Sequence, residues 1–325
     1  MLNYLTRRLL LSVLTLTVIS ALIYCLVRNI PGTPLTAQIG EDASKKIDPA
    51  DYKRMEAAYG LDKPWYTAYF YWLGNLCRFD LGVSIAHKKS VASLIGERIG
   101  PTLLLSVPSL LITFLLSVPL GLFASARHGK LDERTVSVAL YMLYSFPAFV
   151  AALFMQVVFA VKLGWLPLFG MVSDGYEELS TLAKAWDIFK HALMPAACET
   201  YGALAYYSRF VHANLEDVVR QDYIRTARAK GVGPVSVLVR HALRNTMIPL
   251  VTLMGLTLPS LVSGAVILEQ IFTWPGTGRL FFESLTARDY PVIMGLTLMF
   301  SALTLAGQLL ADLLYAVVDP RVSYS

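Results

Sequence analysis

The chain has 325 residues, 55% of them hydrophobic and 16% charged, with a mean hydropathy of +0.54. An ordinary soluble domain carries about 25% charged residues, and here the apolar residues lie in long runs that no helix or strand with a wetted face tolerates, which excludes a water-soluble fold. The net charge of +5 implies no nucleic acid until the basic residues are placed relative to a membrane, and Cys25, Cys77 and Cys198 show no spacing that suggests a disulfide framework or a metal site.

The first uncharged run, Leu9 to Val27, is 19 residues long, roughly 28 Å of helix against a hydrocarbon core about 30 Å thick. It exceeds a signal-peptide h-region and no small-residue cleavage site follows before Pro31, so it reads as an uncleaved anchor. Asn29 to about Pro101 carries nine basic and eight acidic residues and reads as a large, near-neutral, partly folded loop. Its Trp65, Tyr66, Tyr69, Phe70, Tyr71 and Trp72 suit a membrane interface. Further uncharged runs, Ile99 to Ala126, Thr135 to Val161, Asn245 to Leu268 and Tyr290 to Ala311, are each long enough to cross. A shorter run, about Phe189 to Val211, holds Glu199 and Pro195; it is taken as a span because the loops then alternate between the two sides. The expectation is an all-α membrane protein of six transmembrane helices. Residues 1–100 form an anchor helix plus external subdomain, residues 101–325 a five-helix core, and a long loop joins helices 4 and 5.

Orientation follows from Lys and Arg in the short loops. Thirteen fall on the side of the N-terminus, including Arg7, Arg8, Arg127, Lys130 and Arg134, and five on the other: Lys162, Lys184, Lys190, Arg279 and Arg288. Both termini are therefore expected in the cytoplasm. Carboxylates inside a membrane cost a few kcal/mol and face a cavity or a partner. Glu199 and Glu269, toward the outer side, are candidates either to line a passage or to pair with a cation such as Lys190. Asp312 and Arg209, toward the inner side, are predicted to form a structural pair.

There is no GxxxxGK[ST], HExxH or GxSxG, and the histidines are dispersed, so an enzyme is disfavoured. No metal site is expected, because no His, Cys and carboxylate cluster shows ligand spacing. The loop from His212 to Arg244 is long and basic for a mere connection. Glu216 to Lys230 reads as helix, ended by Gly231-Val-Gly233-Pro234, where glycine accepts a left-handed cap and proline starts the next helix. Val235, Leu238, Val239 and Ala242 then recur at helical spacing, predicting one apolar face. Small Thr226, Ala227 and Ala229 would let the helix backbone approach another protein's groove closely, with Arg225, Arg228 and Lys230 available for charged contacts at the rim; a basic juxtamembrane helix on anionic lipid fits the same residues.

The segment Tyr223-Ile-Arg-Thr-Ala-Arg-Ala-Lys-Gly231, with Arg240-His-Ala-Leu-Arg-Asn245 and Ile248-Pro249, resembles the coupling loop of ABC importer permeases of the dipeptide, oligopeptide and nickel class. Trp274-Pro-Gly-Thr-Gly-Arg279, Arg288-Asp-Tyr-Pro291 and Asp319-Pro-Arg321 agree in order. In the general importer pattern a glutamate stands where this chain has Arg225, and its proline comes earlier than Pro249. The resemblance implies a multi-pass subunit of a bacterial or archaeal cytoplasmic (inner) membrane that moves a peptide or peptide-like solute inward by alternating access. It would pair with a homologous second permease, two cytoplasmic ATPases and an external substrate-binding protein. ATP and Mg would sit on the ATPases, with no cofactor on this chain. Tyr223, Arg225, Thr226, Ala227, Arg228, Gly231, Arg240 and His241 would couple to the ATPases. A nickel-chelate or other small-solute importer is the alternative cargo class. An ATP-independent secondary transporter is the alternative mechanism, although no internal repeat supports it. Trp274 to Arg279 reads as a structural turn rather than a substrate contact.

Overall fold

A computed structural model describes residues 2–29, 50, 62–127 and 129–318. Its only extended pairing among the described residues is an isolated bridge between Val83 and Ser90; the rest is helix and turn, as an apolar chain that must satisfy its own backbone requires. Helix α1 runs Leu2–Arg28 and α2 runs Trp65–Leu76. Helix α3, Val91–Ala126, begins at Ser90, whose hydroxyl accepts from the Ser93 amide at 3.2 Å, and continues through Pro101, Pro108 and Pro119. At 36 residues it is roughly 54 Å long, more than a bilayer core requires.

The aromatic helix α2 does not merely lie at an interface. Tyr69 is buried, its hydroxyl 2.9 Å from Ser20 Oγ and donating to the Thr17 carbonyl at 3.2 Å, and its ring meets Tyr24 and Trp72. One face of α2 therefore docks on α1, while Phe70 and Tyr71 remain exposed.

Two expected spans are broken. Thr135 to Val161 is not one straight helix: α4, Leu131–Ser145, and α5, Ala148–Met155 with a π-helical continuation Gln156–Lys162, meet at 92°. Pro147 lacks an amide and drives Phe146 to an extended conformation; Tyr201 Oη donates to the Phe146 carbonyl at 2.8 Å. Next comes α6, Thr181–Val219, a continuous 39-residue helix extending well beyond 189–211 on both sides. Helix α7 is Asp222–Ala229 and α8 Pro234–Ser236; a π-helical turn Val237–Ala242 leads into α9, Leu243–Thr257. The expected span Asn245 to Leu268 is likewise interrupted after α9, giving the short α10, Ser260–Ser263, and α11, Val266–Ile271, around Gly264 at φ +70°. Counting charges is blind to such breaks, since Pro259 and Gly264 are as uncharged as leucine. Helix α12 is Thr277–Ala287 and α13 is Tyr290–Val318.

Among the described residues, Thr6–Arg28, Val91–Ala126 and Tyr290–Leu310 are long and apolar enough to cross a membrane, and a fourth crossing results if the bent α4–α5 pair counts as one. Helices α3 and α6 pack along each other. At Gly121 a Cβ would stand 2.6 Å from Val211 Cγ1, so only glycine permits that approach. A first core joins them to α7 and α9 through Phe114, Val211, Leu215, Ile224, Val237 and Leu250. A second joins α3, α12 and α13; a third joins α5, α6 and α11.

Candidate functional site: an exposed helix on the α6–α9 loop and a cradled carboxylate

Helix α7 has two faces set by its sequence. Ile224 and Ala227, one turn apart, are buried against Leu215, Val237 and Leu250, whereas Tyr223, Arg225, Thr226 and Arg228 are exposed. This corrects the expectation for Ala227: only 8% exposed, it fits α7 to its own bundle and is not presented to another protein. Its small side chain permits close approach inward, and the exposed small residues are Thr226 and Ala229. Arg225 Nη1 stands 3.5 Å from Asp222 Oδ1, an exposed pair.

The helix ends as its glycines predict. Gly231, at φ +79°, donates to the Arg228 carbonyl at 2.9 Å, Val232 donates to that of Ala227 at 3.2 Å, and Pro234 opens α8. A second restraint had no sequence signal: Asn245 Nδ2 donates to Tyr223 Oη at 2.6 Å and ties α7 to the base of α9. Of the apolar stripe expected at Val235, Leu238, Val239 and Ala242, Ala242 is buried and Leu238 half-buried, while Val235 and Val239 are exposed and Val237 is buried in their stead. In the π-helical turn, residues five apart share a face, so Val237 and Ala242 are buried while Val235 and Val239 are exposed. Arg240 is exposed in this turn and His241 half-buried.

The carboxylate centre lies elsewhere, where α11 and the start of α12 meet α3. Glu269 is fully buried. Oε2 accepts from the Arg279 amide at 2.9 Å, the Gly278 amide also donates to the carboxylate, and Oε1 accepts from Thr102 Oγ1 at 3.2 Å. The amides belong to the first turn of α12, whose unpaired N–H groups and dipole favour an anion. Space for the carboxylate exists because Gly264 and Gly276 carry no Cβ, which would overlap it; at Gly278 a Cβ would stand 2.8 Å from Val266 Cα. Thr102 Oγ1 accepts from the Thr277 amide at 2.8 Å, Thr277 Oγ1 donates to the Val262 carbonyl at 2.6 Å, and buried Trp274 donates from Nε1 to the Pro101 carbonyl at 2.9 Å. Arg279 binds Glu283 at 2.7 Å and the Thr273 carbonyl at 2.6 Å.

The stretch Trp274 to Arg279 is therefore a turn that receives a carboxylate from its own chain. Glu269 engages these donors and not Lys190. The glycines at 276 and 278, seven and nine residues beyond the glutamate, were the available signal. Glu199, on α6, lies beside the Ser109 hydroxyl of α3 and within electrostatic reach of Glu269, and its Oε2 is inaccessible and has no hydrogen-bond partner. The Arg209 guanidinium lies 4.1 Å from the centroid of the Tyr141 ring, a cation–π contact. The side chain of its expected partner Asp312, like the Asp319-Pro-Arg321 motif, lies outside the described residues. Among the described residues no group of three or more His, Cys, Asp or Glu could hold a metal ion.

A further anchor holds the segment before α6. Asp187 is buried and accepts from the Ser173 amide at 2.8 Å and hydroxyl at 2.7 Å, with His191 Nδ1 at 3.8 Å. Burial opposes its ionisation, but the two Ser173 donors, with His191 and Lys190, outweigh it and hold the carboxyl below its ordinary value.

These features sit in a chain with extensive relatives. It is 38% identical over 322 residues to the oligopeptide transport system permease protein AppB of Bacillus subtilis (strain 168), covering 99% of each chain. It is 35% identical over 324 residues to the glutathione transport system permease protein GsiC of Escherichia coli (strain K12), covering all of both. In fold it is similar to a chain of the MetNI methionine ABC transporter in an inward-facing conformation, with a TM-score of 0.50 at 18% identity over 69% of this chain and 97% of that one. Residues 1–106 match the N-terminal membrane component of binding-protein-dependent transport systems, and residues 117–324 match the inner membrane component of those systems. The chain accordingly belongs to the inner membrane component family of binding-protein-dependent transport systems.

Proposed function

We propose that the chain is one permease subunit of an ATP-driven importer for peptides or peptide-like solutes. It forms half of a translocation pathway with a homologous second permease. The six-span arrangement, with both termini cytoplasmic, an anchor and external subdomain in residues 1–100 and a five-helix core in 101–325, is part of this reading; α4–α5 and α9–α11 serve as bent spans. An external substrate-binding protein delivers the solute, and two cytoplasmic ATPases carry ATP and Mg.

The observation that carries the coupling role is the mounting of α7. Ile224 and Ala227 fix it to the bundle, Gly231 and Pro234 turn the chain away, and Tyr223 is tied to Asn245. Movement imposed on its exposed face therefore passes to α6 and α9 through packed side chains. Within the proposed eight-residue coupling set, Arg225, Thr226 and Arg228 face the ATPase, while Tyr223, Ala227 and Gly231 hold the helix in place, and Arg240 and His241 form the adjoining edge. The peptide class of cargo rests on the full-length similarity to oligopeptide and glutathione permeases. Of the two translocation-path candidates, Glu199 remains the one proposed to meet the passage, and Glu269 is assigned to shaping its wall.

Cysteine cross-linking tests the coupling role. Thr226→Cys should form an adduct with a co-expressed P-loop ATPase and Ala227→Cys should not. Equal adducts at both positions, or none at either when peptide uptake in reconstituted vesicles is normal, would overturn it. ATP-dependent uptake of a nickel chelate with no peptide uptake would transfer the cargo to the alternative class.

A further inference from the structure

The charge of this chain is concentrated in one place. Residues 220–244 carry Arg220, Arg225, Arg228, Lys230, Arg240 and Arg244 against the single acid Asp222, an excess of five that equals the net charge of the whole chain. All six basic residues are exposed in the fold. Cations gathered this closely repel one another, a cost to the folded chain that an opposite charge outside it removes.

The fold aims this charge. Ile224 and Ala227 turn one side of α7 into the bundle, which leaves Arg225 and Arg228, one turn apart, on the exposed remainder of the helix. Arg225 stands 3.5 Å from Asp222, but both side chains are solvated, and such a pair adds little stability. Arg240 and Arg244 extend the cationic surface toward the base of α9, and the bond from Asn245 to Tyr223 holds that base and α7 in fixed relation. Packing and the Gly231 turn hold the helix in place, so the cations are available to something outside the chain.

We propose that the ATPase groove receiving α7 is acidic, and that this charge match, beyond the shape of the helix, selects the ATPase that assembles with this chain. The inference rests on the coupling reading above and adds the chemistry of the partner: a cytoplasmic ATPase whose groove presents Asp and Glu to Arg225 and Arg228. The flanking Arg220, Lys230, Arg240 and Arg244 act at longer range and draw that groove in before contact. An anionic lipid surface fits the geometry less well. A helix lying on lipid buries its apolar side there, and the apolar side of α7 is already taken by Leu215, Val237 and Leu250.

The test uses the full chain with its co-expressed second permease in nanodiscs, and the purified P-loop ATPase of the same importer added in solution. A benzophenone side chain at position 226 reports docking on this subunit and not on the second permease. The initial rate of adduct formation should fall about tenfold between about 50 and about 500 mM KCl. Arg225→Gln with Arg228→Gln should slow it about tenfold at the lower salt and flatten its salt dependence, whereas Arg225→Lys with Arg228→Lys, which keeps the charge, should stay within about twofold of wild type. Lysine in place of an acidic ATPase residue at the cross-linked site should restore adducts with Arg225→Glu and Arg228→Glu. The salt arm needs no variant at 225 or 228, so it decides the matter even where a substitution disturbs insertion. A rate unchanged across the salt range, or equal in the glutamine variant and wild type, would overturn the acidic groove and leave the coupling reading standing. Unchanged adducts with phosphatidylglycerol lost from the glutamine variant would overturn it in favour of lipid. Absence of any adduct in the chain with its arginines intact would reject the coupling reading itself.

Discussion

Gly276→Ala is expected to destabilise the protein only as long as Glu269 is present. The new methyl would occupy the space of the carboxylate, and in a packed site such overfilling costs about 1–3 kcal/mol. Glu269→Ala removes a fully buried side chain that accepts from the Arg279 and Gly278 amides and from Thr102. Leaving these donors without an acceptor costs roughly 1–3 kcal/mol for each that finds no water, so a loss of about 3–5 kcal/mol is expected. In the double variant the alanine methyl at 276 enters space the glutamate has vacated, so the cost of Gly276→Ala should nearly vanish. The coupling between the two substitutions is then about 1–3 kcal/mol, well above the ~0.5 kcal/mol within which independent sites add. The assay is a double-mutant cycle on unfolding of the purified protein in detergent, with insertion and yield matched. Additive penalties would refute the cradle, and a Glu269→Ala cost below about 1 kcal/mol would mean that water already satisfies the α12 amides.

At the exposed helix, Gly231→Val should cost about 1–2 kcal/mol, because residue 231 is left-handed, and should reduce transport more than membrane insertion, read by uptake against surface expression. Ala227→Trp should act first on the chain's own packing, costing about 1–3 kcal/mol and raising proteolysis of the α6–α9 loop; unchanged protease resistance would refute the inward placement. Tyr223→Phe and Asn245→Ala should each lose about 0.5–1.5 kcal/mol and together little more than either alone, since they share one bond; full additivity in thermal unfolding would contradict it. For Asp187, whose carboxyl is held below its ordinary value, the stabilisation is fully present above the unfolded value of about 4 and is lost as pH falls through the lower folded value. Hydrogen exchange at the Ser173 amide should therefore stay slow from pH 7 to pH 5 and accelerate only below about pH 4, and loss of protection near neutral pH would exclude Asp187 as the anchor.

The sequence by itself determined the solvent and the class of structure. A chain so apolar buries its backbone polar groups by making helices, and the C-terminal ends of α1 and α3 and the start of α13 lie where the uncharged runs end or begin, whereas Arg7, Arg8, Glu97, Arg98 and Asp312 lie inside helices that run on past them. Gly231-Val-Gly233-Pro234 specified its turn, because the left-handed cap and the proline-started helix are local properties of those residues. What tertiary structure alone decided were choices among side chains that composition treats alike. Ala227 and Ala229 are the same residue two positions apart, and only the position of the Leu215 and Leu250 surface determines which turns inward. Val235 and Val237 exchange roles because a π-helical turn alters the angular step. Glu269 reads as a membrane carboxylate until the chain folds its own glycines and helix amides around it; that contact depends on an interrupted apolar run whose break carries no charge, and on Thr102, which lies 167 residues away.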